Sequence, residues 1–434
     1  MPRAVATAEG TKAPTPGEPE LTRAELARYS LFAAPLAMAA LPIYVHVPKL
    51  YAELGLPLAA LGLLLLVLRF ADALIDPLLG RWSDAMASRY RGCLFASLSL
   101  AAGMLLLLNP AWRVLPLWLW LSAALVLVYL GFSLATIAHG AWGAERPHTP
   151  TARTTLTASR EATGLVGVLF AAALPAVLGG DGPGTTAHGL ARFSWVFLAV
   201  LVIALLLLWR VSERKQPAAE HARALSTVLH DARFRALLAV FALNGIASAI
   251  PATLLLFFVE DVLAAKDWEP VFLVSYFLAG ALAMPLWVWL ARRLGKVRAW
   301  AVGMLLAVAA FFWAVTFGAG DRVPFLIVCI ATGVALGADL ALPPSLLADA
   351  IAKRGTQALA GSYFGVWAFV TKVNLALAAG LALPAVAWFG YREGDAASNL
   401  GALTVAYTLF PCALKLFALA ILLRFKNRLS ETPA

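Results

Sequence analysis

Twelve mostly apolar stretches, most of them close to the ~20 residues that a helix needs to cross the hydrocarbon of a bilayer, dominate this sequence. A water-soluble core cannot absorb that many. They run Leu26–Pro48, Leu58–Gly80, Cys93–Leu108, Val114–Ala138, Thr163–Leu178 and Phe193–Arg210, then Phe234–Val259, Val271–Leu290, Trp300–Gly318, Pro324–Leu347, Leu359–Trp388 and Ala402–Leu423. Inside hydrocarbon each backbone N–H and C=O has to find its partner within the protein, so stretches of this length are expected to be helices. Composition agrees. Of 434 residues, 62% are hydrophobic and 13% charged, against about a quarter charged in soluble domains, and the mean hydropathy is +0.81. The expected fold class is an all-α membrane protein with twelve transmembrane helices.

The longest polar connection, Val211 to Arg235, separates six spans from six. The expected organisation is a disordered cytoplasmic tail over 1–23, an N-terminal six-helix bundle over 24–211, a cytoplasmic linker over 212–233, a C-terminal six-helix bundle over 234–425 and a short cytoplasmic tail over 426–434. The first 23 residues hold no apolar core of signal-peptide length. Lys and Arg set the orientation, because they concentrate in cytoplasmic loops. One side carries Arg81, Arg89, Arg91, Arg146, Arg153, Arg160, the basic linker, Arg292, Arg293, Lys296, Arg298, Lys353 and Arg354; the other holds only Lys49, Arg113, Arg192, Lys266, Arg322 and Arg392. Both termini fall on the basic side. The formal charge of +10 is therefore a matter of topology, and no nucleic-acid partner is expected. Cys93, Cys329 and Cys412 are far apart in apolar stretches and read as packing residues.

Within the second stretch, Arg69-Phe-Ala-Asp72-Ala-Leu-Ile-Asp76-Pro-Leu-Leu-Gly80-Arg-Trp-Ser-Asp84 places charge where hydrocarbon is expected. Arg69, Asp72 and Asp76 project from one helix face. Each charge at the centre of a span costs roughly 2.5–3.5 kcal/mol on insertion scales, so the three need partners, a water-filled cavity or a bound cation. A structural ion pair between Arg69 and one carboxylate would leave the other unexplained. The second half echoes the first faintly. Aligning Phe277 to Arg292 with this stretch sets Pro285 on Pro77, Gly280 where Asp72 stands and Met284 where Asp76 stands, and Ala348-Asp349 echoes Ala144-Glu145.

Gly80-Arg-Trp-Ser-Asp84 followed by Arg89 and Arg91 has the form of the loop between the second and third spans of the major facilitator superfamily. Asp72-Ala-Leu-Ile-Asp76-Pro-Leu-Leu-Gly80 resembles the second-span motif of the glycoside–pentoside–hexuronide:cation symporter family, the melibiose permease-like transporters. Ala138-His-Gly-Ala-Trp-Gly-Ala-Glu145 with Arg153 and Arg160, Leu347-Ala-Asp349, and Gly361-Ser-Tyr-Phe-Gly365 through Lys372 resemble its fourth, tenth and eleventh spans. The resemblance implies two pseudo-symmetric six-helix bundles that work by alternating access in a bacterial-type inner membrane. It also implies that Asp72 and Asp76 bind the coupling cation, Na+ or H+, with Lys372 facing them, while Ser133 and Thr136 can add neutral oxygens. Gly80, Asp84, Arg89, Arg91, Glu145 and Asp349 are the expected cytoplasmic gate.

Two departures bear on the substrate. Thr136 stands where the family's sugar carriers have a fourth-span aspartate, and no acid occurs between Glu25 and Glu53. Relatives in the wider family that move lysophospholipids keep the second-span carboxylates, so an amphipathic substrate or export is the alternative to small-solute symport. A non-transporting receptor or scaffold is the rival of another class, and it gains nothing from costly midplane charges. The substrate cavity is expected to involve Arg69, Arg160, Asp339, Asn374, Tyr44 and His139, although a satisfied core histidine is the commoner case for His139. Asp339 can pair with Lys372 or face the substrate, Pro343-Pro344 is expected to break the tenth span, and Lys415 receives no role. The six histidines show no metal-ligand spacing, and no nucleophile or phosphate-loop motif occurs. Neither an enzyme nor a cofactor beyond the coupling ion is expected; a monomer in the bilayer is.

Overall fold

In the computed structural model, residues 21–146, 149–179, 185–213, 224–392 and 399–429 are described. The helices are α1 (Arg23–Ser30), α2 (Ala33–Glu53), α3 (Leu58–Ala85), α4 (Arg89–Leu108), α5 (Leu117–Glu145), α6 (Pro150–Gly179), α7 (Thr185–Leu208), α8 (Ala224–Leu229), α9 (Ala232–Phe257), α10 (Glu269–Leu282), α11 (Met284–Leu294), α12 (Lys296–Ala314), α13 (Arg322–Arg354), α14 (Ala360–Trp388), α15 (Leu400–Arg424) and α16 (Lys426–Leu429). Eleven helical spans among the described residues are long and apolar enough to cross a membrane, and the α10–α11 pair, bent by 43°, makes a twelfth.

Both halves obey one packing rule. In each, the third span lies on the fourth (α4 on α5, α12 on α13), the first on the fifth (α2 on α6, α9 on α14) and the third on the sixth (α4 on α7, α12 on α15). The halves meet crosswise. The second span packs on the eleventh, α3 on α14, and the eighth on the fifth, α10 and α11 on α6. This is the pairing of two related bundles about a pseudo-twofold axis, and it gives the faint sequence echo a structural meaning. Asp72 and Asp76 lie on one crosswise seam. Their counterparts Gly280 and Met284 lie on the other, where they meet Leu165 of α6 in an apolar cluster with Ala158, Ala162 and Phe277.

Opposite faces of α3 explain how it sits. Asp72, Asp76, Gly80 and Asp84 recur every four residues and are buried, while Phe70, Leu74, Leu78 and Trp82, offset by two, are exposed. The apolar face is left for lipid and the charged face is turned into protein, as the cost of charge in hydrocarbon demands.

Several expectations change. Pro343 and Pro344 lie within an unbroken α13; packing against α5, α6, α9, α10, α11 and α12 holds the helix where two backbone donors are missing. The bend falls in the eighth span instead, just before Pro285. Helices outrun the apolar stretches, with α5 continuing to Glu145 and α6 beginning at Pro150. The first span starts with a short helix closed by a Thr22–Glu25 capping box. The segment expected as a C-terminal tail holds α16, and α9 begins at Ala232 with the Asp231 carboxylate accepting from the N–H groups of Arg233 and Phe234.

Candidate functional site

The charged face of α3 meets α14 antiparallel, so that residues near 84 face 361 and residues near 72 face 372. Gly80, Gly361 and Gly365 bring the two backbones into contact: a Cβ on Gly80 would lie 2.4 Å from the Gly361 carbonyl oxygen, and one on Gly365 would lie 2.6 Å from that of Asp76. No larger residue fits between them.

At the end of this seam away from Asp84 the Lys372 ammonium lies 2.7 Å from Asp72 Oδ2, 2.9 Å from Asp76 Oδ1 and 2.7 Å from Ser133 Oγ. The Ser133 hydroxyl in turn donates to Asp72 Oδ1 at 2.9 Å. Asp76 is fully buried, and its Oδ2 has no hydrogen-bond partner among the described residues. Three helices thus converge on one cation: α3 supplies two carboxylates, α5 a hydroxyl and α14 the ammonium. Asp72 and Asp76 take Lys372 as their ion-pair partner, while Arg69 is half-buried one turn away on α3. Thr136 does not join them. Three residues beyond Ser133 it is turned about 60° around α5 and its side chain is exposed.

At the basic end, Asp84 accepts from the backbone N–H groups of Gly361 at 2.6 Å and Ser362 at 2.7 Å and from the Ser362 hydroxyl at 2.6 Å. The carboxylate sits on the first turn of α14, where unpaired N–H groups and the helix dipole favour negative charge. Arg89 binds both Asp84, at 2.9 Å, and Glu145, at 2.6 Å, and also donates to Ser83. A second cross-link joins α6 to α13: Arg153 pairs with Asp349 at 2.9 Å, Lys296 binds the other oxygen of Asp349, and the Thr154 and Ser345 hydroxyls meet at 3.1 Å. Arg91 stands apart, exposed in a surface groove with Tyr90, Trp209 and Glu213.

The residues expected in a substrate cavity are scattered. His139 is a packed core residue: Tyr29 donates to its carbonyl at 2.6 Å, its Nε2 lies 3.0 Å from the Tyr29 carbonyl, and the two rings are 4.1 Å apart. Arg160 turns to its neighbour Glu161, at 2.5 Å, in a narrow crevice with Tyr29, Pro344 and Phe364. Asn374 is buried against Gly245 of α9. The Tyr44 side chain lies outside the described residues.

Asp339 does border a cavity, and its partner is Lys415 rather than Lys372. Lys415 Nζ lies 2.8 Å from Asp339 Oδ2, 2.7 Å from Asn244 Oδ1 and 3.0 Å from Ser248 Oγ, while Trp300 Nε1 donates to Asp339 Oδ1 at 2.8 Å. The signal for Lys415 was present in the sequence. An intramembrane lysine needs an acid, and with Asp72 and Asp76 sharing Lys372, Asp339 was the acid left over.

The profile of one family, MFS/sugar transport protein, matches residues 29–427. The chain belongs to that family. Membership places it in a family of transporters. Among its relatives, the sodium-dependent lysophosphatidylcholine symporter 1-A of Danio rerio is 28% identical over 137 residues, 30% of this chain and 25% of that one. The sodium-dependent lysophosphatidylcholine symporter 1 of Gallus gallus is 29% identical over 128 residues, 28% of this chain and 24% of that one. The chain thus aligns with about a quarter of the length of these relatives. Among solved structures, a bacterial homologue of the iron transporter ferroportin in an outward-facing state superposes with a TM-score of 0.73 at 18% identity, over 94% of this chain and 100% of that one. The E. coli fucose:proton symporter superposes with a TM-score of 0.68 at 16% identity, over 94% and 98%. At such identities the likeness is one of fold, the two-bundle major facilitator fold.

Proposed function

We propose that this protein is a cation-coupled secondary transporter in which Asp72, Asp76 and Ser133 bind the coupling ion in exchange for the Lys372 ammonium. The observation that carries this reading is the coordination of Lys372 by three oxygens from two helices of the first half. The three oxygens already hold a cation, one tethered to the second half. Hard oxygen ligands suit Na+, and the unpartnered Asp76 Oδ2 is a further ligand for it, or the seat of a proton. When the ion arrives, Lys372 is released and the link between α3 and α14 weakens, so occupancy biases which conformation is favoured. The Lys and Arg excess makes the basic end, and both termini with it, cytoplasmic. The arrangement described here is then closed toward the cytoplasm by Asp84, Arg89 and Asp349. A bacterial-type inner membrane fits the short loops, and the monomer contains every residue of this site.

The substrate we propose is an amphipathic solute. Its support is the absence of the first-span and fourth-span acids expected of sugar carriers, together with the partial likeness to lysophosphatidylcholine symporters. In proteoliposomes with an imposed Na+ or pH gradient, uptake of lysophosphatidylcholine should follow one of the two gradients, and a hexose such as fucose should not accumulate. Uptake that ignores both gradients would remove the coupling assignment. Fucose accumulation without lysolipid uptake would remove the substrate class.

A further inference from the structure

The second half contains a partly open cavity of about 190 Å³ lined by α9, α10, α12, α13 and α15. Its walls are apolar and aromatic, with Leu255, Phe272, Tyr276, Phe311, Leu336 and Tyr407 prominent, and its polar end is formed by Ser248, Asp339 and Lys415. Two features define what fits. First, the ion pair is electrically closed. All three N–H donors of Lys415 are used, on Asn244, Ser248 and Asp339, and Asp339 accepts from Trp300, Lys415 and Ser248. A carboxylate offers about four acceptor sites, so Asp339 keeps one, and its side chain is 13% exposed. Second, Tyr276 and Tyr407 line the cavity, and their hydroxyls hydrogen-bond no protein group among the described residues.

We infer that this cavity binds an uncharged, ring-sized ligand, apolar over its faces and bearing a hydroxyl at one edge. The size is adequate, since a dry cavity of about 150 Å³ accepts benzene. A net charge is disfavoured because the Asp339–Lys415 pair already neutralises itself, and a third charge would be buried without a partner. The ligand's hydroxyl finds the spare acceptor of Asp339 and the free phenol groups, while its ring replaces empty space against aromatic walls. Two lining residues, Phe277 and Leu336, also belong to the apolar cluster that meets Ala158, Ala162 and Leu165 of α6. Filling the cavity therefore bears on the second crosswise seam, where Gly280 and Met284 stand in place of the carboxylates.

The inference rests on the lining of the cavity alone, and its test needs no ion gradient. Fluorine NMR of 4-fluorophenol with the purified protein in lipid nanodiscs should show saturable binding that 4-fluorobenzoate and 4-fluorobenzylammonium neither match nor displace. Ala335→Phe, which fills the cavity from α13, should abolish the bound signal. Tyr276→Phe, which removes only a hydroxyl, should weaken it about fivefold, a loss of one hydrogen bond of ordinary strength; if the larger replacement does not fold, this variant decides. An unchanged signal in Tyr276→Phe, or equal binding of either charged ring, would overturn the inference. No binding alongside uptake that still depends on Asp72 and Asp76 removes this inference alone. Uptake indifferent to those carboxylates removes the coupling reading and leaves the binding result standing.

Discussion

Asp76 and Gly365 touch backbone to backbone: a single added carbon at position 365 would lie 2.6 Å from the Asp76 carbonyl oxygen. The helix that carries the carboxylates and the helix that carries Lys372 are therefore in register with nothing between them. From Asp72 to Asp84 the seam spans twelve residues, about 18 Å of helix, with the Lys372 ammonium at one end and the Asp84 cap at the other.

Asp76→Asn removes one carboxylate charge and keeps the shape of the side chain. Ion-driven accumulation in proteoliposomes should be lost, while solute exchange down its own gradient and the monodisperse elution of the purified protein persist. Retained accumulation would show that the coupling ion binds elsewhere.

Replacing Lys372 with Ala removes the competitor for the three oxygens. The apparent affinity for Na+, if Na+ is the coupling ion, should rise by about tenfold or more, since an intramolecular ammonium no longer has to be displaced. Turnover should fall, because an empty carboxylate pair has no internal counter-charge with which to complete the cycle. Direct titration of ion binding by calorimetry, set beside uptake rates, separates the two effects.

Gly80→Val should drive α3 from α14 and depopulate the form closed at the basic end. Spin labels at Arg91 and Arg292, on exposed positions of the two halves, should report a longer distance in the variant, and Asp84→Ala should move the same distance in the same direction by a smaller step. An unchanged distribution in both would separate this seam from the conformational change.

For the buried pair in the second half, Lys415→Met should be costly, about 3–5 kcal/mol, because it strands the Asp339 charge. The double replacement Asp339→Asn with Lys415→Met should recover most of the lost melting temperature. A double variant as unstable as the single would mean that Asn244, Ser248 and Trp300 need the charges themselves.

The sequence made the spans, the six-plus-six division and the charged stripe of α3 legible, because each depends on residues close together along the chain. Partners were harder. Asp76 and Lys372 are 296 positions apart, and only the resemblance to a known family placed them together. Asp339 and Lys415 have no such aid: the sequence leaves Asp339 between Lys372 and the substrate and gives Lys415 no role. Arg153 was read as a loop cation although it bridges the halves to Asp349. Pro343-Pro344 misled for the opposite reason: a strong local signal for a break was overruled by helices packed around α13. Ser133 and Thr136 show the same limit at finer scale, since helical rotation alone decides which hydroxyl reaches the carboxylates.

The glycines of the seam have a mechanical consequence. Where side chains interlock, parting two helices means unthreading each one in turn, and a half-opened state can persist on the contacts that remain. Between Asp76 and Asp84 the surfaces are smooth, so the grip is concentrated at two catches, the ammonium among its oxygens and the carboxylate on the first turn of α14. Releasing one leaves little to resist release of the other. A clasp built this way snaps rather than peels, and it is suited to a carrier that must never be open on both sides at once.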